Sequence, residues 1–159
     1  MIVVADTSPL NYLVLVEQIN VLENIYGTVV VPETVREELL RANAPEVVRR
    51  WIARPPEWLL VRVPSSKLPS SLEQLDAGER DAIALALELG ARQLIIDDRR
   101  GRESAVQHGV SVIGTLGILR AGAALGLLDL NTAVARHRKT NFFIEPKSSS
   151  EVYSRSKQF

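Results

Sequence analysis

Two short apolar runs in this chain stop on carboxylates: Ile2-Val3-Val4-Ala5 on Asp6, and Leu94-Ile95-Ile96 on the doublet Asp97-Asp98. Runs this short, β-branched and without polar alternation read as strands buried on both faces, as the strands of parallel sheets are. In an open parallel sheet, ligands sit beyond the carboxyl ends of strands, near the point where strand order reverses. Acids placed there, in a chain with no cysteine and two histidines, point to a hard, oxygen-liganded cation such as Mg²⁺ or Mn²⁺.

The rest of the chain alternates between strand and helix signals. Thr7 or Ser8 can cap a helix with Pro9 in its first turn and Leu10, Leu13 and Val14 on its apolar face. After Gly27, Thr28 to Val31 reads as a second buried strand. Pro32 opens a helix carrying Val35, Leu39 and Ala42, and a further helix covers Glu46 to Ala53. Trp58 to Val63 reads as a more exposed strand, and Pro64 to Ser71 as a loop. Asp76-Ala77-Gly78-Glu79 starts the clearest helix, running to about Leu89 before Gly90. Leu94 to Ile96 is a strand, Arg102 to His108 a short helix, Val110 to Ile113 a strand and Leu116 to Leu125 a helix. One more helix follows Asn131, then a polar tail from Glu145, free or docked on a partner. The pattern predicts an α/β fold, a three-layer α/β/α sandwich with a mainly parallel central sheet. Residues 1–144 form the expected domain and 145–159 the tail.

Length and composition narrow the functional classes. At 159 residues a single domain with a substantial core is expected. Lys plus Arg balance Asp plus Glu at 19 each, so any polyanion site must come from a local patch. Without cysteine there is neither a disulfide framework nor a thiolate metal site, which fits a reducing compartment. The apolar N-terminus lacks a basic flank and is too short for a signal peptide. No stretch reaches the roughly 18 apolar residues of a membrane span, and a cytoplasmic location is expected.

Intervening helices supply further carboxylates. Glu79 has Ala82, Ile83 and Ala86 at i+3, i+4 and i+7, so it lies along the buried stripe. Asp76 and Glu79 also have capping-box spacing, so Glu79 can equally close the helix start, and the two roles can coexist. Glu38 borders the apolar face of its helix and can turn inward or pair with Arg41, whereas Glu37 pairs naturally with Arg41 and is solvated. Asp81 shares a face with Leu85 and Glu88 at the helix margin. Asp6 reads as spare, because Thr7 and Ser8 already supply caps. Asp97-Asp98 can form a turn paired to the following arginines, yet adjacent like charges are destabilising unless a cation or an arginine neutralises them. Together these acids would converge on one edge of the sheet and bind one or two divalent ions. Two-ion sites suit phosphodiester hydrolysis, one ion activating water and the other stabilising the leaving oxygen.

The residues Asp6-Thr7-Ser8-Pro9-Leu10, Val31 to Leu39, Asp76 to Ala84 and Leu94 to Asp98 resemble, in order and spacing, a PIN domain (PilT N-terminus-like). Within that superfamily the chain is similar to a branch of predicted nucleic-acid-binding proteins related to VapC-like toxins. That branch has Gly-Glu at the third acidic position and a Gly-Thr-Leu-Gly-Ile-Leu segment, here Gly114 to Leu119. The resemblance implies an α/β/α fold, an acidic Mg²⁺ or Mn²⁺ pocket and metal-dependent ribonuclease activity. It also implies a prokaryotic toxin paired with a small antitoxin protein that inserts near the site. Carried over by position, Asp6, Glu38, Glu79 and one of Asp97 and Asp98 are the catalytic, metal-binding set, with Thr7 or Ser8 orienting a ligand or water. Asp98 matches the superfamily's common strand–Thr-x-Asp pattern, and Asp97 is where this branch keeps its acid. Glu79 stands where most members have Asp.

Substrate RNA needs cations along its backbone. Arg99, Arg100 and Arg102 follow the acidic doublet and can hold phosphates beside the metals. Arg136, His137, Arg138 and Lys139 form a second basic run, readable as a solvated helix face. Metal-activated water makes a general base at His137 unnecessary. Gly114 to Leu119 lacks the spacing and the lysine of a phosphate loop and reads as a strand-to-helix turn. Its apolar helix can pack on the sheet or form a dimer face; core packing is preferred, and a homodimer is expected. Three functions follow: a divalent-metal-dependent endoribonuclease, a catalytically weak PIN-fold module binding nucleic acid or a partner, and a phosphoryl-accepting receiver-like domain. The last would need an acidic pair after the first strand and a lysine at the end of the last, which this chain lacks.

Overall fold

A computed structural model describes residues 1–65 and 70–141. The predicted tail and half of the predicted loop Pro64 to Ser71 lie outside them. Five strands, β1 (Val3–Ala5), β2 (Val29–Pro32), β3 (Leu59–Arg62), β4 (Gln93–Ile95) and β5 (Val112–Ile113), form one sheet in the order β3-β2-β1-β4-β5. Every pairing is parallel, with Val4 opposite Val30 and Leu94, and Ile95 opposite Ile113. The chain first winds outward from β1 through β2 to β3, then returns to place β4 on the other side of β1. The order therefore reverses between β1 and β4, the two strands that end on acids.

Among the described residues, eight α-helices cover the sheet: α1 (Thr7–Leu15), α2 (Val21–Tyr26), α3 (Glu33–Leu39), α4 (Glu46–Ala53), α5 (Ala77–Leu89), α6 (Arg99–Gln107), α7 (Thr115–Ala124) and α8 (Leu130–Asn141). Successive strand residues face opposite layers, as the pleat requires. Val3, Ala5, Val29, Val31 and Ile95 pack against Leu10, Leu13, Val35, Ile52, Ile118 and Ala133 from α1, α3, α4, α7 and α8. Val4, Val30, Leu94 and Ile96 pack against Ala82, Ile83, Leu85 and Ala86 of α5 and Ala105 of α6. The buried central strands account for the continuous apolar runs of the sequence. Leu116, Ile118 and Leu119 of α7 are buried as well, so this helix uses its apolar face in the core.

Several element boundaries differ from the sequence reading. Neither Thr7 nor Ser8 caps α1; both lie inside it, and Asp6 occupies the N-cap position without a side-chain capping bond. The first helical stretch is two helices, divided where Glu17 takes a positive φ of 61°, so α2 went unpredicted. The helix opened by Pro32 stops at Leu39 and leaves Ala42 exposed beyond its end. Helix α6 starts at Arg99 rather than Arg102, because the Asp98 side chain accepts from the Gly101 amide and caps it three residues earlier. Helix α5 begins and ends as predicted. Asp76 accepts from the Glu79 amide at 2.9 Å, and Gly90, with a φ of 61°, supplies the left-handed residue that closes the C-terminus.

The second basic run is split. His137 is 1% exposed and packs edge-on against Tyr12, with ring centroids 5.0 Å apart, whereas Arg136, Arg138 and Lys139 face solvent. Arg136 reaches Glu17 at 3.5 Å and donates to the Val16 carbonyl, tying α8 to the end of α1. Burial pushes the His137 imidazole down to about 4, so it is neutral at physiological pH. The run is thus three surface cations around a core histidine.

Candidate functional site

Parallel strands and the helices between them run in opposite senses, so helix N-termini gather at the carboxyl edge of the sheet. Here α1, α3, α5, α6 and α7 all begin at that edge, presenting N–H groups and the positive ends of their dipoles. Such an edge favours carboxylates, and six of them meet there. Asp6 follows β1, Glu38 comes from α3, Asp76 and Glu79 from the start of α5, and Asp97 and Asp98 follow β4.

Asp6 lies nearest the reversal of strand order. Its backbone amide continues the β1–β4 ladder by donating to the Ile95 carbonyl at 2.9 Å, which fixes the residue on the strand end. The side chain is 4% exposed and its Oδ1 has no hydrogen-bond partner. Burial pushes its carboxyl up to about 7, against the Thr7 amide, which lowers it; Asp76, Glu38 and Asp97 add repulsion. Asp6 is therefore a desolvated acid surrounded by other acids. An unpaired buried carboxylate is costly.

Glu79 is the second such group. It is 8% exposed, as its place on the inner stripe of α5 implies, and its Oε2 also lacks a partner. Burial, then hydrogen bonding to Asp76 and Asp98 and repulsion from both, pushes it up to about 10. Its surroundings thus favour the protonated form of Glu79 over the charged one. Asp98, more exposed, lies below the ordinary carboxylate range. Burial works against its charge, but the hydrogen bond from Glu79, the Gly101 and Arg100 amides and the Arg100 charge outweigh it.

Glu38 and Asp97 are held by hydroxyls. Thr7 Oγ1 donates to Glu38 Oε2 at 2.7 Å, so Glu38 turns inward rather than toward Arg41. Thr34 Oγ1 donates to Asp81 at 2.9 Å, fastening α3 to α5 nearby. Asp97 receives the Thr115 amide at 2.7 Å on Oδ1 and the Thr115 hydroxyl at 2.6 Å on Oδ2. It thus caps α7 from a distance, where Gly114 at the N-cap position has no side chain to do so. Burial raises its pKa, opposed by the two Thr115 bonds and by Arg102.

The structure brings all five predicted acids to one edge and adds Asp76, which the sequence presented only as a helix cap. Its position three residues before Glu79, on the same first turn, was the available signal. Thr115 was also missed; it is 1% exposed and lies 18 residues from Asp97 in sequence. The predicted arginines diverge. Arg99 and Arg100 are exposed at the start of α6, with Arg99 paired to Glu103 at 3.1 Å. Arg102 folds inward, reaching the Ile96 carbonyl at 3.4 Å and lowering the Asp97 pKa, and so serves the site rather than its rim.

Among the described residues, no three His, Cys, Asp or Glu side chains form a ready metal-holding group. The acids are instead engaged by threonine hydroxyls, by helix amides and, for Glu79, by Asp76 and Asp98. The donor set nonetheless fits a hard divalent cation: it is all carboxylate, two buried oxygens are orphaned, and the negative charges repel one another.

A parallel sheet covered on both faces, with an acidic edge at its switch point, defines a three-layer α/β/α domain. A family model described as PIN domain (DUF3368) matches residues 2–158, and the chain belongs to that family. PIN domains are generally nucleases that bind nucleic acids and use divalent metals. The fold is also similar to a PilT N-terminus domain protein from the hyperthermophilic archaeon Sulfolobus solfataricus P2. The TM-score is 0.56 at 24% identity, over 76% of this chain and 92% of that one. No curated protein matches the chain. Among the described residues, no helix is long and apolar enough to cross a membrane.

Proposed function

We propose that this chain is a Mg²⁺- or Mn²⁺-dependent endoribonuclease, the toxin of a toxin–antitoxin pair. The observation that carries the nuclease reading is the pair of buried, unpartnered carboxylate oxygens, Asp6 Oδ1 and Glu79 Oε2, from different elements of one edge. Each is a buried oxygen with no hydrogen-bond partner, and four further acids of the same edge, Glu38, Asp76, Asp97 and Asp98, stand around them. Asp6, Glu38, Glu79 and Asp98 would hold the metal, with Asp97 aligning α7 beside it and Asp76 holding Glu79. A bound divalent cation supplies the Lewis acidity that activates water and steadies the leaving oxygen in phosphodiester hydrolysis.

The chain's own residues do the rest. Asp6, fixed on β1, is the rigid anchor. Glu79, whose surroundings push its carboxyl toward the protonated form, would hold a cation as the deprotonated carboxylate. Thr7 aims Glu38, and Thr115 aims Asp97. Arg99 and Arg100, exposed at the start of α6, draw RNA phosphates toward the edge. A small antitoxin protein would insert near the acidic edge, and the chain would act as a homodimer.

A second reading, a PIN-fold module that binds nucleic acid or a partner but cleaves little, is favoured by the lack of a ready three-acid group among the described residues and by the upward push on the Glu79 carboxyl. RNA cleavage with Mg²⁺ or Mn²⁺, comparing wild type with Asp6→Asn and Glu79→Gln, separates the two. Cleavage lost in both variants supports the nuclease; equal cleavage in all three proteins refutes the site. RNA binding without cleavage by wild type supports the module. Co-purification or co-expression with the product of a neighbouring small reading frame tests the antitoxin.

A further inference from the structure

Three glycines lie against the acidic edge, and two of them touch carboxylates of the proposed metal set. A Cβ built on Gly78 would stand 2.6 Å from Glu38 Oε1, 3.2 Å from its Cδ and 3.3 Å from its Oε2. A Cβ on Gly101 would stand 2.6 Å from Glu79 Oε2, and equally close to Ile96 Cδ1. Gly114 relates in the same way to Asp97 Oδ1, at 2.9 Å. None of the three has the left-handed backbone that would itself call for glycine; the positive-φ glycines are Gly27, Gly90, Gly109 and Gly126. Gly78 and Gly101 also sit inside helices, where glycine is a poorer helix former than alanine. Their local cost has no local return, and what they provide is room for an acid.

We propose that Gly78 and Gly101 are positioning residues of the acidic site, seating Glu38 and Glu79 against helix backbone by the absence of a Cβ. The inference rests on the metal-site reading above. Gly78 is the cleaner case, because the three nearest atoms its Cβ would meet all belong to Glu38. The atoms displaced would be the far end of a flexible side chain, so the fold can absorb a methyl group there and the carboxylate cannot. Glu38 is clamped between the Thr7 hydroxyl on one side and Gly78 on the other. A methyl at position 78 would push it out of that clamp. At Gly101 the buried Ile96 must shift as well, so a substitution there disturbs packing in addition to Glu79.

The test uses the full, metal-free chain and Mn²⁺ as the probe. Calorimetric titration of Gly78→Ala should show Mn²⁺ affinity reduced about tenfold or more, the scale on which misoriented ligands act, with thermal stability kept. Gly122→Ala serves as the control: its Cβ would meet Val21 and Leu128, at 2.7 and 2.9 Å, within the apolar layer. That variant should melt earlier and bind Mn²⁺ as wild type does.

A metal-independent arm checks the steric cause. In a Glu38→Ala background, Gly78→Ala should raise the melting temperature as an ordinary helical glycine-to-alanine change does. With Glu38 present, that gain should shrink or reverse, giving a non-additive cycle. Wild-type Mn²⁺ affinity in Gly78→Ala, or an additive cycle, overturns the inference. Failure of the wild-type chain to bind Mn²⁺ would instead overturn the metal reading on which it rests.

Discussion

Removing the charge of Asp6 should stabilise the metal-free protein while destroying its function, and the gain should grow with pH. The Asp6 carboxyl moves from 3.8 to about 7 on folding, chiefly because burial penalises the anion. A raised acid pKa means that the folded state holds a proton the unfolded chain has released. The stability this contributes is complete below 3.8 and is lost as pH rises through about 7. Each pH unit in that window costs about 1.4 kcal/mol. Between pH 5 and the folded pKa the loss is thus roughly 2.7 kcal/mol, an upper bound because real sites relax. Asp6→Asn keeps the shape of the side chain and lacks the titration. Melting both proteins in a chelating buffer from pH 5 to pH 8 measures the difference, since every other group titrates in both. The variant should pull ahead of wild type by several degrees over this range, at ~2–4 °C per kcal/mol for a domain of this size. Added Mg²⁺ or Mn²⁺ should restore wild type and leave Asp6→Asn unchanged. A gap that stays constant or narrows with pH would refute the reasoning, because Asp6 would then not be a desolvated acid.

Further outcomes follow from the same geometry. Glu79→Gln should lower RNA cleavage by ~100-fold or more through loss of metal affinity, measured as single-turnover cleavage against Mn²⁺ concentration. Thr115→Val removes the hydroxyl that donates to Asp97 but keeps the backbone bond; denaturant unfolding should show a loss of about 1–3 kcal/mol. Arg99→Ala and Arg100→Ala should each flatten the dependence of RNA affinity on salt, the slope of log K against log salt falling by about 0.7 per residue for single strands. The buried His137 runs the other way from Asp6: its folded pKa is depressed to about 4, so the stability it contributes is present above ~6.5 and lost as pH falls through 4. His137→Phe should flatten that acid limb in a melting series from pH 7 to pH 4.

How far the fold could be read from sequence follows the range of the interactions involved. The apolar runs at Val3–Ala5, Val29–Val31 and Leu94–Ile96 announced buried parallel strands, because strands covered on both faces have no polar side to display. Helix α5 was legible from end to end, since Asp76 caps it locally and Gly90 closes it locally. Helix α2 was not, because the break at Glu17 uses a positive φ on a residue whose identity does not advertise one. The extension of α6 to Arg99 was concealed because Asp98 was weighed as a ligand rather than as a cap. His137 was misplaced for a related reason: its neighbours in sequence are cations, while its neighbour in space is Tyr12.

At the acidic edge the chain's own chemistry named the candidates, and strand order arranged them. That Asp6, Asp97 and Asp98 end strands, that Glu79 opens a helix and that Glu38 borders a helix's apolar face could be read from short-range patterns alone, because caps and periodicity act over a turn or less. Which partner each acid takes could not. Thr7 reaches Glu38 across 31 residues because β1 pairs with β2, and Thr115 reaches Asp97 across 18 because β4 pairs with β5. The return of β4 to the side of β1 brings Asp97 near Asp6, and the packing of α5 against α3 and α6 sets Asp76 among the acids and makes Gly78 and Gly101 the floor beneath two carboxylates. The desolvation that pushes Asp6 and Glu79 up is likewise a property of the packed edge, since an isolated strand end or helix start leaves a carboxylate in water.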